Sequence, residues 1–321
     1  MSAPMADLVT LDEIEAAYRR VGDRVHHTPT LSARSIGAEL GVELWLKAEL
    51  LQRTGSFKIR GVLNTLLSLS PDELASGVVT MSSGNHAAAL AAGAAIVGTN
   101  ATIVMPAHAN AFKVDATRRY GGNTVLTDRP LAEVMTEIAD GEKRVVVHPF
   151  DDPRIIAGAA GVGLELVDDA PPLDLVVVPV GGGGLISGVA AAVKRRSPST
   201  RVVGVEPTGA DAMTKALAAE TSVPITPDTV CDGLAAPFAG GANLAHVQAF
   251  VDDVVTIDDS LVLSGLRLLY ERAKLAAEPS AAAGVAALLA GLVDIGDARR
   301  VACVVSGGNI DLGRLAALVS S

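Results

Sequence analysis

The chain has 321 residues, 49% of them hydrophobic but only 3% aromatic, and a formal charge of −10. With 26 basic against 36 acidic residues and no basic run, it lacks the electrostatic footprint of a nucleic-acid or anionic-membrane binder. Its longest apolar stretches, 87–97 and 281–293, are too short to span a bilayer, and its N-terminus lacks the basic start and apolar core of a signal peptide, so the expected setting is the cytoplasm.

In chain order, the first helical signal is the capping box Thr10-x-x-Glu13, and a second box, Ser70-x-x-Glu73, opens a later helix. Between them runs QRTGSFKIRGVLNTLL, residues 52–67. Ile59, Val62, Leu63, Leu66 and Leu67 follow the i, i+3, i+4, i+7, i+8 stripe of a helix facing a core. Gly55 lets the backbone turn sharply, and Ser56 is placed to cap the helix. Lys58 then falls in the first turn, where the helix dipole disfavours a cation. A lone lysine of this kind is usually a surface residue whose stem snorkels to water. Its position beside a buried stripe asks for another explanation.

Strand-like runs follow at 78–81, 102–105, 124–126, 144–147, 175–180, 201–205, 254–257 and 301–305. Most are short apolar blocks without polar alternation, as in strands covered on both faces. Helical segments alternate with them, which predicts an α/β fold of parallel sheets wound by helices. The expected division is a small domain, 49–147, inserted in a large one formed by 1–48 and 148–321.

Three strand-to-helix turns carry candidate chemistry. VVTMSSGNH presents Ser82, Ser83, Gly84, Asn85 and His86, hydroxyls and an amide suited to a carboxylate. LVVVPVGGGGLISG ends a strand in Gly181, Gly182, Gly183 and Gly184. Four glycines are entropically expensive, and a bare row of N–H groups at a helix N-terminus is the geometry that uses them, to hold a phosphate. VVSGGN repeats the pattern with Ser306, Gly307, Gly308 and Asn309. Ligands of open α/β sheets gather at the carboxyl ends of strands, so the three turns can share one cleft. A dinucleotide site competes for the tetraglycine, because Glu206 ends the next strand where an acid would meet ribose hydroxyls. The third fingerprint glycine, however, falls on Ile186 or Ser187. Cys231 and Cys303 have neither metal-ligand nor redox spacing.

Taken in order, QRTGSFKIRG, SSGNH, HPFDDPRIIAG, PVGGGGLISG, GVEP, DGLA, AEPSAAAG and SGGN resemble the serine/threonine dehydratases and serine racemases, pyridoxal-phosphate enzymes of the tryptophan-synthase-β fold. The resemblance runs from Gln52 to Asn309. It implies that Lys58 forms the Schiff base with pyridoxal 5′-phosphate and that Gly181, Gly182, Gly183 and Gly184 hold its phosphate. It further implies that Phe57 packs on the ring, Asn85 meets the ring hydroxyl and Ser306 the ring nitrogen. Ser82, Ser83, Gly84 and His86 become the substrate-carboxylate turn, with Ser83 also matching the racemases' second acid/base.

The implied reaction is β-elimination of water from a serine- or threonine-like amino acid, giving a 2-oxo acid and ammonia. A racemase or a hydroxyaspartate-type dehydratase is the alternative on the same scaffold, and an NAD-dependent oxidoreductase the distant one. A homodimer acting on small amino acids is implied. Glu206 matches one ligand of the racemases' cation site, but the aspartate expected six residues on is Ala212, with Asp211 beside it. Where AGQGT is usual, this chain has AGAAGVG, 157–163, and after Ser306 it leaves no room for a regulatory domain.

Overall fold

The computed structural model describes residues 8–320; residues 1–7, where the leader reading begins, and Ser321 lie outside them. Among the described residues ten strands form two sheets: β1 Thr30–Ser32, β2 Glu43–Ala48, β3 Val78–Met81, β4 Ala101–Pro106, β5 Asn123–Thr127, β6 Val145–Val146, β7 Leu175–Pro179, β8 Arg201–Pro207, β9 Asp253–Ile257 and β10 Arg300–Val305. The larger sheet has the order β1-β2-β10-β7-β8-β9 and the smaller β5-β4-β3-β6. Every pairing is parallel except β1 with β2. All four strands of the smaller sheet lie within 49–147.

The fold class is the α/β architecture expected, and the eight strand-like runs all form strands. β1 and β2 are additions. β2 reads ELWLKA, and the charged Glu43 and Lys47 hide a strand whose Leu44, Leu46 and Ala48 are buried. Lys47 is itself fully buried, which no local pattern announces.

Both capping boxes form as expected, with Thr10 and Ser70 accepting from Glu13 and Glu73 N–H groups. The scarcity of aromatics is met by Ala-rich helices, Asn85–Val97, Gly184–Arg196 and Pro279–Leu289, whose short side chains let them lie close on the valine-rich strands. The smaller sheet's core includes Ile59, Val62, Leu63 and Leu66 from the helix Lys58–Leu66, and also Val21, Val25 and Ile155 from outside 49–147.

The helix Lys58–Leu66 is buried on more than the apolar stripe, for Arg60, Asn64 and Thr65 are also covered. Arg60 explains how. Its Nε and Nη2 donate to the two oxygens of Glu49 at 2.8 Å each, and Nη1 and Nη2 to those of Glu165 at 2.7 and 2.8 Å. Lys47 Nζ pairs with Glu165 at 2.8 Å and donates to the Thr28 carbonyl at 2.6 Å. Burial would pull the Arg60 guanidinium down, but the two glutamates outweigh it and hold it above its ordinary value. Lys58's helix is thereby tied to the turn that follows β2 and to the helix Gly161–Asp169. On its other side the segment after Pro153 crosses closely: a Cβ on Gly158 would stand 2.6 Å from the Arg60 carbonyl oxygen.

Candidate active site

The turns singled out in the sequence converge because the loop before Lys58 is stapled to the end of β10. Ser56 and Gly307 form an isolated antiparallel bridge. Phe57 N–H donates to the Ser306 carbonyl at 3.2 Å and Gly308 N–H to that of Gly55 at 2.9 Å. Asn309 Nδ2 reaches both the Thr54 carbonyl and Asn85 Oδ1, each at 2.7 Å. Gly55 has φ +71°, and a Cβ there would fall 2.2 Å from Asn309 Oδ1, so only glycine fits this crossing. Asn85 in turn donates to Glu278 Oε1 at 2.7 Å. The resulting cleft is lined by Phe57, Lys58, Asn85, Phe150, the four glycines, Leu234, Glu278 and Ser306, among others.

One sequence expectation fails here. Ser56 does not cap the helix: the N-cap is Phe57, without a side-chain cap bond, and Ser56 Oγ is buried without a partner. The bridge to Gly307 fixes Ser56 in the wrong place to reach the first turn. Lys58 thus begins a helix with no side-chain cap, at its positive end, an environment hostile to a cation. Its Nζ donates to the Pro149 carbonyl at 2.9 Å and lies 5.1 Å from the centroid of the Phe57 ring. Burial pushes the amine down to about 8, against an opposing pull from Glu278.

Glu278 is pushed up to about 7 by burial, in spite of the Asn85 amide that favours its charged form. His86 is driven down to about 3, by burial first and by Lys58 second. The imidazole is therefore neutral, with Nε2–H donating to the Val147 carbonyl at 3.2 Å.

A primary amine attacks an aldehyde only when unprotonated. The rate at which cofactor-free protein takes up pyridoxal phosphate should therefore rise with pH through about 8, where Lys58 loses its proton, and level off above it. Stopped-flow absorbance across pH 6.5–9.5 checks this; a plateau already complete at pH 7 contradicts it.

The tetraglycine joins β7 to the helix Gly184–Arg196. The Gly182 carbonyl is held from behind by Asn243 Nδ2 at 2.8 Å and Gly240 N–H at 3.2 Å. A planar trans peptide points its N–H opposite its carbonyl, so the Gly183 N–H is turned away from Asn243. The first helical bond runs from Ser187 N–H to the Gly183 carbonyl, which leaves the preceding N–H groups without helical partners. This donor set, on a glycine wall with no charged side chain, suits a phosphate.

Gly183 has φ +100°, and its Cβ would stand 2.6 Å from Met213 Cε and 2.7 Å from Asn243 Cβ. Gly183→Asp should therefore weaken pyridoxal-phosphate affinity by roughly two orders of magnitude, from backbone strain and like charge beside the phosphate. Equilibrium titration of the folded variant checks it; unchanged affinity would move the phosphate elsewhere.

The remaining residues are placed as follows. Ser306 is buried and lines the cleft. Ser82, Ser83 and Gly84 are half-buried in the turn just before Asn85, where Ser82 Oγ accepts from Gly84 N–H at 3.3 Å. Glu206 is engaged otherwise: its oxygens accept from the N–H groups of Met213 and Thr214 at 2.8 Å each, capping the helix Ala212–Ala219. The carboxyl is pushed up to about 7 by burial against those bonds, and no group of three His, Cys, Asp or Glu able to hold a metal occurs among the described residues.

Glu278 is the residue the sequence reading passed over, although it lies in AEPSAAAG. Its signal was an acid immediately before Pro279 at the start of a helix, an N-cap position, here turned toward the cleft.

Comparison with known proteins points to one family. The sequence profile of the family described as pyridoxal-phosphate dependent enzyme matches residues 21–307. A serine racemase of Oryza sativa subsp. indica is 41% identical over 314 residues, covering 95% of this chain and 92% of the relative. An L-threonine ammonia-lyase of Thermotoga maritima is 38% identical over 317 residues, covering 98% of this chain and 79% of the relative. The solved structure of maize serine racemase superposes with a TM-score of 0.93 at 38% identity, covering 97% of each chain.

Proposed function

The chain belongs to the pyridoxal-phosphate dependent enzymes, within the group of serine racemases and threonine dehydratases, and from that premise we propose that it is an ammonia-lyase for a serine- or threonine-like amino acid. The observation that carries this reading is Lys58: a buried amine with its proton affinity lowered to about 8, in a cleft lined also by Asn85 and the four glycines.

Pyridoxal phosphate, when bound, supplies an electron sink for the charge left at Cα as its proton departs. Lys58 is the base for that proton, and its depressed proton affinity keeps an appreciable fraction of the amine neutral near pH 8. The turn Ser82, Ser83, Gly84 and His86 binds the substrate carboxylate, Asn85 the ring hydroxyl, and the tetraglycine the cofactor phosphate. Phe57, Phe150 and Leu234 give the cleft apolar walls that keep water from the reacting carbon. Ser306 offers a neutral hydroxyl where an acid would deepen the electron sink, which favours expulsion of the β-hydroxyl over amino transfer. Loss of the Cα proton and of the hydroxyl as water leaves a product that hydrolyses to a 2-oxo acid and ammonia.

Racemisation is the second reading, favoured by the serine racemases among the most similar relatives and by Ser83, the hydroxyl assigned as second acid/base. Incubation with L-serine and L-threonine, followed by oxo-acid determination and chiral chromatography, separates the two. Oxo acid in excess of the D-amino acid is the expected result; D-serine in excess makes the protein a racemase, and neither product overturns both readings. We also place the protein in the cytoplasm as a homodimer. The support is the resemblance, two buried free cysteines suited to a reducing compartment, and the lack among the described residues of any helix long and apolar enough to cross a membrane.

A further inference from the structure

A lysine and an aspartate meet across the rim of the cleft. Lys113 lies on the helix Ala111–Arg119, between two strands of the smaller sheet in sequence, and Asp232 on the segment that precedes the helix Gly241–Phe250 of the larger unit. Their charged atoms are 2.7 Å apart. Asp232 is not adrift: the next residue, Gly233, donates its N–H to Ser280 Oγ at 2.8 Å, and Gly233 and Leu234 line the cleft. Asp232 thus stands directly beside a residue of the cleft lining, and Lys113 reaches it there.

The cleft is poor in other cations. Its only charged lining residues among those described are Lys58 and Glu278. His86 and His148 are both held toward their neutral forms, first of all by burial. Lys58 is committed to the cofactor and the Cα proton. A ligand with a carboxylate on its side chain would therefore meet Glu278 within the cleft and Asp232 beside it, with Lys113 already paired.

We propose that the Lys113–Asp232 pair is a specificity determinant that excludes a second carboxylate, restricting the site to β-hydroxy amino acids with uncharged side chains. The inference rests on the reading of the cleft as an amino-acid site. It separates this protein from a hydroxyaspartate-type dehydratase by one ion pair rather than by cavity shape.

The test uses cofactor-loaded enzyme and two probes without a β-hydroxyl, L-alanine and L-aspartate, titrated calorimetrically. Wild-type protein should bind alanine more tightly. Asp232→Asn, at a side chain 71% exposed and therefore tolerant of change, frees the lysine. It should tighten aspartate binding roughly tenfold or more while alanine changes less than about twofold. Adding Lys113→Gln should abolish the gain. Wild-type affinity for aspartate equal to that for alanine, no gain in Asp232→Asn, or a gain retained in the double variant would each overturn the pair's role and leave the amino-acid reading standing. Failure of both probes to bind any of the proteins would instead overturn the amino-acid reading, and the inference with it.

Discussion

Lys58→Ala is expected to fold normally and to lose at least about 10³-fold in elimination rate, together with the borohydride-sensitive visible absorbance of the bound cofactor. No other lysine can take its place. Lys47 is sealed in the ion network with Glu165, and Lys113 is held at the rim by Asp232. The variant should also be no less stable than the parent when both are free of cofactor. The Lys58 amine is lowered from 10.5 to about 8 in the folded protein, so between those values the native state binds fewer protons than the unfolded chain. Its burial thus opposes folding fully below pH 8, and this penalty fades as pH rises toward 10.5. Removing the amine should relieve the penalty at pH 7 and make little difference near pH 10. Urea unfolding at the two pH values measures this; peptide mapping that finds the reduced cofactor on another lysine would end the assignment.

Arg60→Met should be the most destabilising single change near the site. The substitution keeps most of the buried volume but leaves Glu49 and Glu165 without the guanidinium that satisfies four of their hydrogen bonds. Breaking a buried ion pair from one side costs about 3–5 kcal/mol, and here two carboxylates are stranded at once. The pH dependence has a definite sign. Burial raises the Glu49 carboxyl, but Arg60 foremost outweighs it and holds the group below its ordinary value. The stability it contributes is therefore present above about pH 4.5 and is lost as pH falls through the lower native value. The variant lacks this contribution, so its deficit should be larger at pH 7 than at pH 4. An unfolding free energy from urea titration within about 1 kcal/mol of the parent at pH 7 would show that the network orders the helix without stabilising it. Because Arg60 is two residues from Lys58, cofactor affinity should fall in the same variant, and Glu49→Gln added to it should restore stability more than affinity.

Much of the architecture was legible because it depends on local periodicity. Short apolar blocks bounded by turn formers read as strands, and eight of the ten strands found among the described residues fall on such blocks. Both capping boxes were equally local, three residues apart and closed by the residues that name them. β2 escaped because Lys47, in its interior, is compensated by Glu165 and Asp169, 118 and 122 residues away in the chain. Ser56 misled for the same reason. Its spacing suits a cap, but the partner that decides its conformation is Gly307, on another strand end.

The sequence by itself determined the alternation of strands and helices, the glycine-rich turn between a strand and a helix, and a lysine in the first turn of a buried helix. Each depends on backbone sterics and hydrophobic spacing within about fifteen residues. Only the tertiary structure decided that Glu278 faces Lys58's cleft through Asn85, that Glu206 spends its oxygens on a helix start, and that Lys113 is neutralised by Asp232. Charge is a long-range quantity: the state and use of a carboxylate or an amine depend on burial and on partners from distant parts of the chain, and those exist only after the two sheets have come together.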